Sequence, residues 1–440
     1  MTAGADPTRV VIVGGGFAGI ACARALAKHD DVHVTLIDRN DYHQFQPLLY
    51  QVATSMLAAR DIAYPLRRIA AEYEGFESHR REVTSIDPAA KAVTTAGGDT
   101  YAADYLVLAA GSQPNFFKTP GAEHAFPLYS LDDAEHLRTR VIQAFEEADR
   151  DPSLIDEGVL DFVVVGGGPT GVEVAGALSE MIATTMTYEF PELAPRAKVH
   201  LVDHGQALLG MFADKAHAYS ARILERDGVE LRMGTGVTAI GPGHVTLSDG
   251  SMIKTRCVVW GGGLMAAPIA GTSGLPQGRG GRIDVGRDFF VAGFPGVLAI
   301  GDVANIPAKG DKTHPQLGSV ALQSGEWAAK SIIADRAGKT PKPFSYLDKG
   351  TMAMIGRGAA VAQVKGVELH GKVAFAAWLG VHAALMTGGS NRVDAFKSWA
   401  EDFFGKERAP EALDRSGTPR MTWEADDEAA PVASASGGPS

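Results

Sequence analysis

Cysteine is nearly missing: the 440 residues hold two, Cys22 and Cys257, far apart and in no Cys-x-x-Cys pair. That excludes a disulfide scaffold, a local-spacing zinc site and a redox-active cysteine pair. Both read as small buried residues, one in a helix and one in a strand, and no metal is assigned. Long apolar runs are missing too. No segment reaches the roughly 18–20 residues needed to span a bilayer. Met1–Arg9 is short and polar, so no secretory leader is expected. Basic residues are in the minority, 41 Lys and Arg against 52 Asp and Glu, for a formal net charge of −11. That balance argues against nucleic acid as a partner. What the chain has in quantity is glycine, 52 residues, and enough length for two or three domains.

Two stretches share one plan. Val10-Val-Ile-Val13 reads as a short buried strand, followed by Gly14, Gly16 and Gly19 and then by helical residues Ile20 to Lys28. Phe162 to Val165 is a second such strand. Gly166, Gly168 and Gly171 repeat the spacing, and Val172 to Glu180 has helical periodicity. Strand, tight glycine turn and helix form the context in which Gly-x-Gly-x-x-Gly marks a dinucleotide site. The glycines let pyrophosphate approach free N–H groups at a helix N-terminus, where the dipole favours an anion. Val32–Asp38 and Lys198–Asp203 are partner strands that each end in an acid. Such a carboxylate suits adenosine ribose hydroxyls and repels a 2′-phosphate. With no Lys or Arg directly after Asp203, NADH is favoured over NADPH. Glu173 falls in the first turn of the second helix on this reading, near where a nicotinamide would lie. Two such sites in one chain suggest electron traffic between two cofactors.

The remaining segments fill in an α/β plan. Arg39–Ser55 is rich in Gln, Tyr and His and reads as a loop leading into a helix, either a cofactor wall or an ordinary packed loop. Val83–Thr95 is a hairpin, and Tyr105–Gly111 is a buried strand ending in a glycine turn, with Ala110 and Gly111 at its carboxyl edge. Leu131–Ala148 is an amphipathic connector helix. Arg256–Trp260 runs into Gly261-Gly-Gly263, and Pro295–Val303 carries Gly301-Asp302 at a strand end. The Asp302 carboxylate could accept from a ribityl hydroxyl; an ordinary turn is the alternative. Leu317–Ile332 is helical, with Ser319 and Gln323 near its start. Met352–Ala362 is strand-turn-strand. Val373–Met386 is apolar on nearly every side but too short to span. Val393, Phe396, Trp399 and Phe403 then recur at helical spacing. These last two helices suit a core lid, a dimer face or an interfacial anchor, with weak attraction to anionic lipid because Asp394, Glu401 and Asp402 offset the basic residues.

The chain resembles the two-dinucleotide-binding-domain flavoproteins, and within them the type II NADH dehydrogenases, the non-proton-pumping NADH:quinone oxidoreductases. The resemblance spans Val10 to Phe404. It rests on Gly14–Gly19, Phe45–Ala53, Ala109–Asn115, Val165–Glu173, Ala299–Asp302, and Trp378–His382 with Asn391-Arg392 after it. It implies two Rossmann-like domains, the NAD domain inserted in the FAD domain, plus a C-terminal β/α region with amphipathic helices. The implied division is an FAD-binding domain in 1–120 and 291–345, an NADH-binding domain with connector in 121–290, a C-terminal membrane-surface or dimer region in 346–406, and a disordered tail in 407–440. FAD falls to Gly14, Gly16, Phe17, Ala18, Gly19, Asp38, Arg39, Ala110, Gly111 and Asp302. NADH falls to Gly166, Gly168, Thr170, Gly171, Asp203 and Gly262, with Glu173 as the catalytic carboxyl. The family's quinone-side helix commonly reads Ala-Gln-x-Ala-x-Gln. Here Gly318-Ser-Val-Ala-Leu-Gln323 keeps the second glutamine and has Ser319 for the first. The implied reaction is FAD-dependent NADH oxidation with two electrons passed to a membrane quinone. Oxygen, a small oxidant or a redox protein are alternative acceptors, and an NADH-sensing interaction protein is a further alternative. A cytoplasmic homodimer is expected, either soluble or peripheral on the cytoplasmic face of the cell membrane.

Overall fold

The computed structural model describes residues 6–310 and 312–404; the tail expected in 407–440 lies outside them. Two five-stranded parallel sheets organise the chain. In the first, strands run in the order Val297–Ala299, Tyr105–Leu108, Thr8–Val13, Val32–Asp38 and Phe76–Arg80. The second runs Phe126–Pro127, Cys257–Trp260, Asp161–Val165, Lys198–Asp203 and Val229–Met233. Their central strands are apolar on both faces because helices cover both. Val10–Ile12 and Phe162–Val164 are accordingly almost wholly buried.

In each sheet the first strand pairs with its acid-ended neighbour, Val13 opposite Ile37 and Val165 opposite Val202. That register delivers Asp38 and Asp203 to the same edge as the glycine turns. Helices Phe17–Leu26 and Pro169–Met181 start at that edge. The second begins three residues before Val172, because Pro169 suits a first helical position. Glu173 therefore sits in the second turn, not the first, and the helix dipole has little hold on it. The long helix expected to about Phe190 continues through a π-helical turn, Ile182–Met186, to Glu189.

Thr351–Gly356, Ala359–Val364 and Val367–His370 form an antiparallel sheet. It carries helix Gly371–Leu385 and packs on helix Pro169–Met181. Helix Gly389–Phe404 closes the described chain. The stripe expected along it is split. Trp399 is 7% exposed and packed inward, whereas Val393 and Phe396 are 66% and 49% exposed. Trp399 turns in because Trp378 and Gln51 offer it ring contact and a hydrogen bond. Phe403 belongs to residues whose side chains are not described. Both cysteines are buried, and burial pushes each thiol up to about 12, so neither supplies a thiolate.

Candidate active site

The two glycine turns are built alike. Gly14 and Gly166 have φ of +109° and +110°, the left-handed region that favours glycine. A Cβ on Gly19 would overlap the Gly14 carbonyl oxygen, and one on Gly171 would overlap that of Gly166. The third glycine of each motif thus lets its helix lie against the turn. The middle ones, Gly16 and Gly168, have open space where a Cβ would stand. Each is the N-cap residue of its helix, and neither offers a side-chain cap. The first N–H groups are left for an external acceptor.

The acids lock the turns. Asp38 accepts from Gly15 N at 2.6 Å and Asn40 N at 2.7 Å. Asp203 accepts from Gly167 N and Gly205 N, both at 2.6 Å. These carboxylates therefore shape the two glycine loops. Burial raises the Asp38 carboxyl above its usual range, with the two amides and Arg39 opposing that rise. Behind Gly15, His43 Nδ1 lies 2.9 Å from the Gly15 carbonyl oxygen. Burial lowers His43 to about 4, so it is neutral at pH 7.

A cleft of about 780 Å³ runs along the first sheet's edge. Its walls include Gly14, Gly16, Phe17, Ala18, Asp38, Arg39, Ala110, Gly111 and Asp302. Every FAD-side residue expected from the sequence lines it except Gly19, which works behind it through its close approach to Gly14. Ser112 Oγ donates to Asp302 at 3.1 Å, and burial raises the Asp302 carboxyl. Open glycines at an uncapped helix start, an acid at each end and a long cleft between them fit FAD. Sequence reasoning missed Tyr129, whose hydroxyl accepts from Ser112 N at 2.9 Å and lies 2.9 Å from Ser112 Oγ. Gln44 and Gln46 also line the cleft, from the loop read as a cofactor wall. Their signal was density of polar residues next to aromatics, while Tyr129 had none beyond the Ser130 cap after it. Asp302→Ala should weaken FAD retention by about 10–100-fold, the worth of one charged hydrogen bond. Flavin released on dilution measures it, and full retention would remove Asp302 from the site.

On the second sheet, Gly261 and the Gly262 amide both meet the turn. A Cβ on Gly166 would stand 2.6 Å from the Gly261 carbonyl oxygen, while Gly262 lies next to the Trp260 ring. Thr170 is exposed at the helix start. Glu173 is half-buried and is not among the residues that line the FAD cleft. Its Oε1 accepts from Met354 N at 3.2 Å, across to the C-terminal sheet. Burial of the carboxyl raises it to about 8, with the Met354 amide pulling the other way. At pH 7 the group is mostly protonated and neutral.

A second cavity, about 840 Å³, runs between helices Phe17–Leu26 and Gly318–Arg336. Its walls include Phe17, Ile20, His43, Leu322, Ala329 and Leu385. Phe17 is shared with the FAD cleft. Ser319 and Gln323, expected on the quinone side, are bonded to the Tyr346–Leu347 segment. Ser319 Oγ lies 2.8 Å from Tyr346 Oη, and the Gln323 carboxamide exchanges two 2.9 Å bonds with the Leu347 backbone. The Gln323 carboxamide is thus engaged by that loop, and Leu322 of the same helix lines the cavity.

Residues 8–325 match the family described as Pyridine nucleotide-disulphide oxidoreductase. Type II NADH:quinone oxidoreductase Ndh of Mycobacterium tuberculosis is 36% identical over 418 residues, 91% of this chain and 89% of the relative. NdhA of the same organism, also a type II NADH:quinone oxidoreductase, is 37% identical over 92% of this chain and 89% of its own length. The structure of NDH2 from Plasmodium falciparum in complex with NADH superposes with a TM-score of 0.84 at 18% identity, covering 91% of this chain and 99% of that one. That likeness shows the fold, and the sequence matches, over nearly the whole of each partner, show the family. With two matching dinucleotide turns, a cleft that fits FAD and these relatives, the chain belongs to the type II NADH:quinone oxidoreductases, flavoproteins that oxidise NADH without pumping protons.

Proposed function

We propose that NADH docks on the Pro169–Met181 helix and that a quinone reaches the flavin through the groove behind Phe17. The observation that carries this reading is that Phe17 forms a wall of both the FAD cleft and this groove, whose other walls mix apolar residues with Arg24, Lys28, Glu326, Lys330 and Lys339. Bound FAD supplies the two-electron chemistry between nucleotide and quinone. Gly14, Gly16, Gly19, Asp38, Gly111 and Asp302 hold it, and Gly166, Gly168, Gly171, Asp203 and Gly262 hold NADH. The division into 1–120 with 291–345, 121–290 and 346–406 follows the same reading.

Quinone reduction consumes two protons. Glu173, protonated at pH 7, holds one at its carboxyl, and Met354 N–H fixes the carboxyl's direction. Glu173→Gln keeps the shape and removes the proton. It should lower quinone-linked turnover about tenfold or more while FAD content stays full; unchanged turnover would end the catalytic role. Stability supplies an independent check. The folded carboxyl holds its proton up to about pH 8, against 4.5 for the ordinary group. Between those values the folded state binds more protons than the unfolded one, so stability falls as pH rises through this window. Glu173→Gln should remove that part of the slope in urea unfolding at pH 5 and pH 8.

Among the described residues no helix is long and apolar enough to cross a membrane. Val373, Val381, Leu385, Val393 and Phe396 are exposed on the last two helices, and Leu385 also lines the groove. That continuity supports peripheral attachment at the cytoplasmic face of the cell membrane, with quinone entering beside Leu385. A homodimer through the same face is the competing use. Flotation with neutral vesicles should carry the chain upward, and Phe396→Glu should abolish it; a dimer unaffected by vesicles would favour the other use.

A further inference from the structure

We propose that Tyr50, Gln51 and Trp399 are positioning residues for Glu173, forming a buried hydrogen-bonded chain that ties the seat of the last helix to the catalytic carboxyl. Trp399 Nε1 donates to Gln51 Oε1 at 2.8 Å, and Gln51 Nε2 donates to Tyr50 Oη at 3.1 Å. Tyr50 Oη donates to Met354 Sδ at 3.1 Å, and Met354 N donates to Glu173 Oε1 at 3.2 Å. Five residues from four elements are joined: the last helix, the short helix Leu49–Ala53, strand Thr351–Gly356 and the NADH-side helix.

Tyr50, Gln51 and Met354 are each at most 3% exposed. A buried carboxamide is costly unless both its ends are satisfied. Here both are, by groups that lie 348 positions away and one position away in sequence. Simple packing would be met by leucine; a directional chain needs glutamine. The Met354 amide donates to Glu173, and burial together with the Glu173 charge raises the Tyr50 hydroxyl. Glu180, farther along its own helix, acts with Glu173 on Tyr50. Around Trp399, Trp378 meets it edge-on at 5.9 Å and stacks His382 at 4.0 Å; His382 is neutral, lowered by burial to about 4. The last helix shows Val393 and Phe396 outward and Trp399 inward, so whatever seats its outer face acts on the chain that ends at Glu173.

The proposal rests on Glu173 as the working carboxyl, and one experiment separates the two. The FAD-loaded full chain is titrated by difference infrared spectroscopy, following the protonated-carboxyl component that titrates near pH 8, which W399F and Y50F should retain and E173Q should lack. W399F replaces the indole by a smaller phenyl ring and loses the N–H; Y50F keeps its ring and loses only the hydroxyl. In both, the Met354 amide that favours the ionised carboxyl is held less firmly, so the band should titrate about half a pH unit or more higher. Amide exchange across Thr351–Gly356 should speed up about fivefold, the loss of one buried hydrogen bond. A band that persists in E173Q overturns the Glu173 reading and this proposal together. A band lost in E173Q yet unmoved in W399F and Y50F, with exchange unchanged, overturns the proposal alone and leaves the three residues as packing.

Discussion

Alanine at Gly171 is expected to impair NADH oxidation by destabilising the fold, whereas alanine at Gly168 should impair it with the fold intact. The two glycines belong to one motif but answer to different neighbours. At Gly171 a methyl would overlap the Gly166 carbonyl oxygen, which is backbone and cannot swing away. The helix must lift from the turn, at a cost on the order of 3 kcal/mol. At Gly168 nothing stands within 4 Å of the added carbon, and φ is −74°. The folded chain tolerates it within about 1 kcal/mol. The methyl instead occupies the space through which a pyrophosphate approaches the helix start, so KM for NADH should rise about 10–100-fold. Thermal unfolding separates the pair, and NADH should raise the melting temperature of neither variant as it does the parent's. Equal stability loss in both would mean that the third glycine has no special role in closing the turn. Gly16 and Gly19 should repeat the contrast with FAD, because their surroundings match.

The parts legible in the sequence are those whose physics is local. A glycine turn announces itself within six residues, and an acid at a strand end follows from the next strand's apolar run. Asp38, Asp203 and the glycines were found for that reason, and parallel pairing then brought each acid to its turn. Asp302 needed the family resemblance, since Gly-Asp at a strand end is common. The surroundings of Glu173 were not legible. Met354 lies 181 positions away, and no periodicity joins a strand near the end of the chain to a helix in its middle. The same distance hid the inward turn of Trp399, which spacing alone had grouped with Val393 and Phe396. The partners of Ser319 and Gln323 were hidden for a third reason. Their helix was right, but a backbone loop at Tyr346–Leu347 competes for the same side-chain groups. One weak signal was available. Gly176 and Gly325 sit inside helices, where glycine costs roughly 1 kcal/mol against alanine. In the structure Gly325 lets its helix touch Ala18, and Gly176 lets the NADH-side helix touch Ile355.

Gly176→Ala is the second variant expected to have a large effect, and it acts far from either nucleotide. An added Cβ would overlap the Ile355 carbonyl oxygen, again backbone. Ile355 follows Met354 in the strand whose amide meets Glu173, so the strand cannot retreat without drawing that amide away. Overpacking of backbone on backbone should lower stability by about 3 kcal/mol. The glycine turns are untouched, so FAD content and NADH affinity should stay within a factor of about three of the parent's. Turnover should fall toward that of Glu173→Gln. The carboxyl itself should move above its value of about 8, because the retreating amide is the group that favours its ionised form. Normal nucleotide binding with slow quinone-linked turnover is therefore the diagnostic result. Loss of NADH affinity in step with turnover would mean that the helix had shifted as a whole, and that the strand is not what holds Glu173 in place.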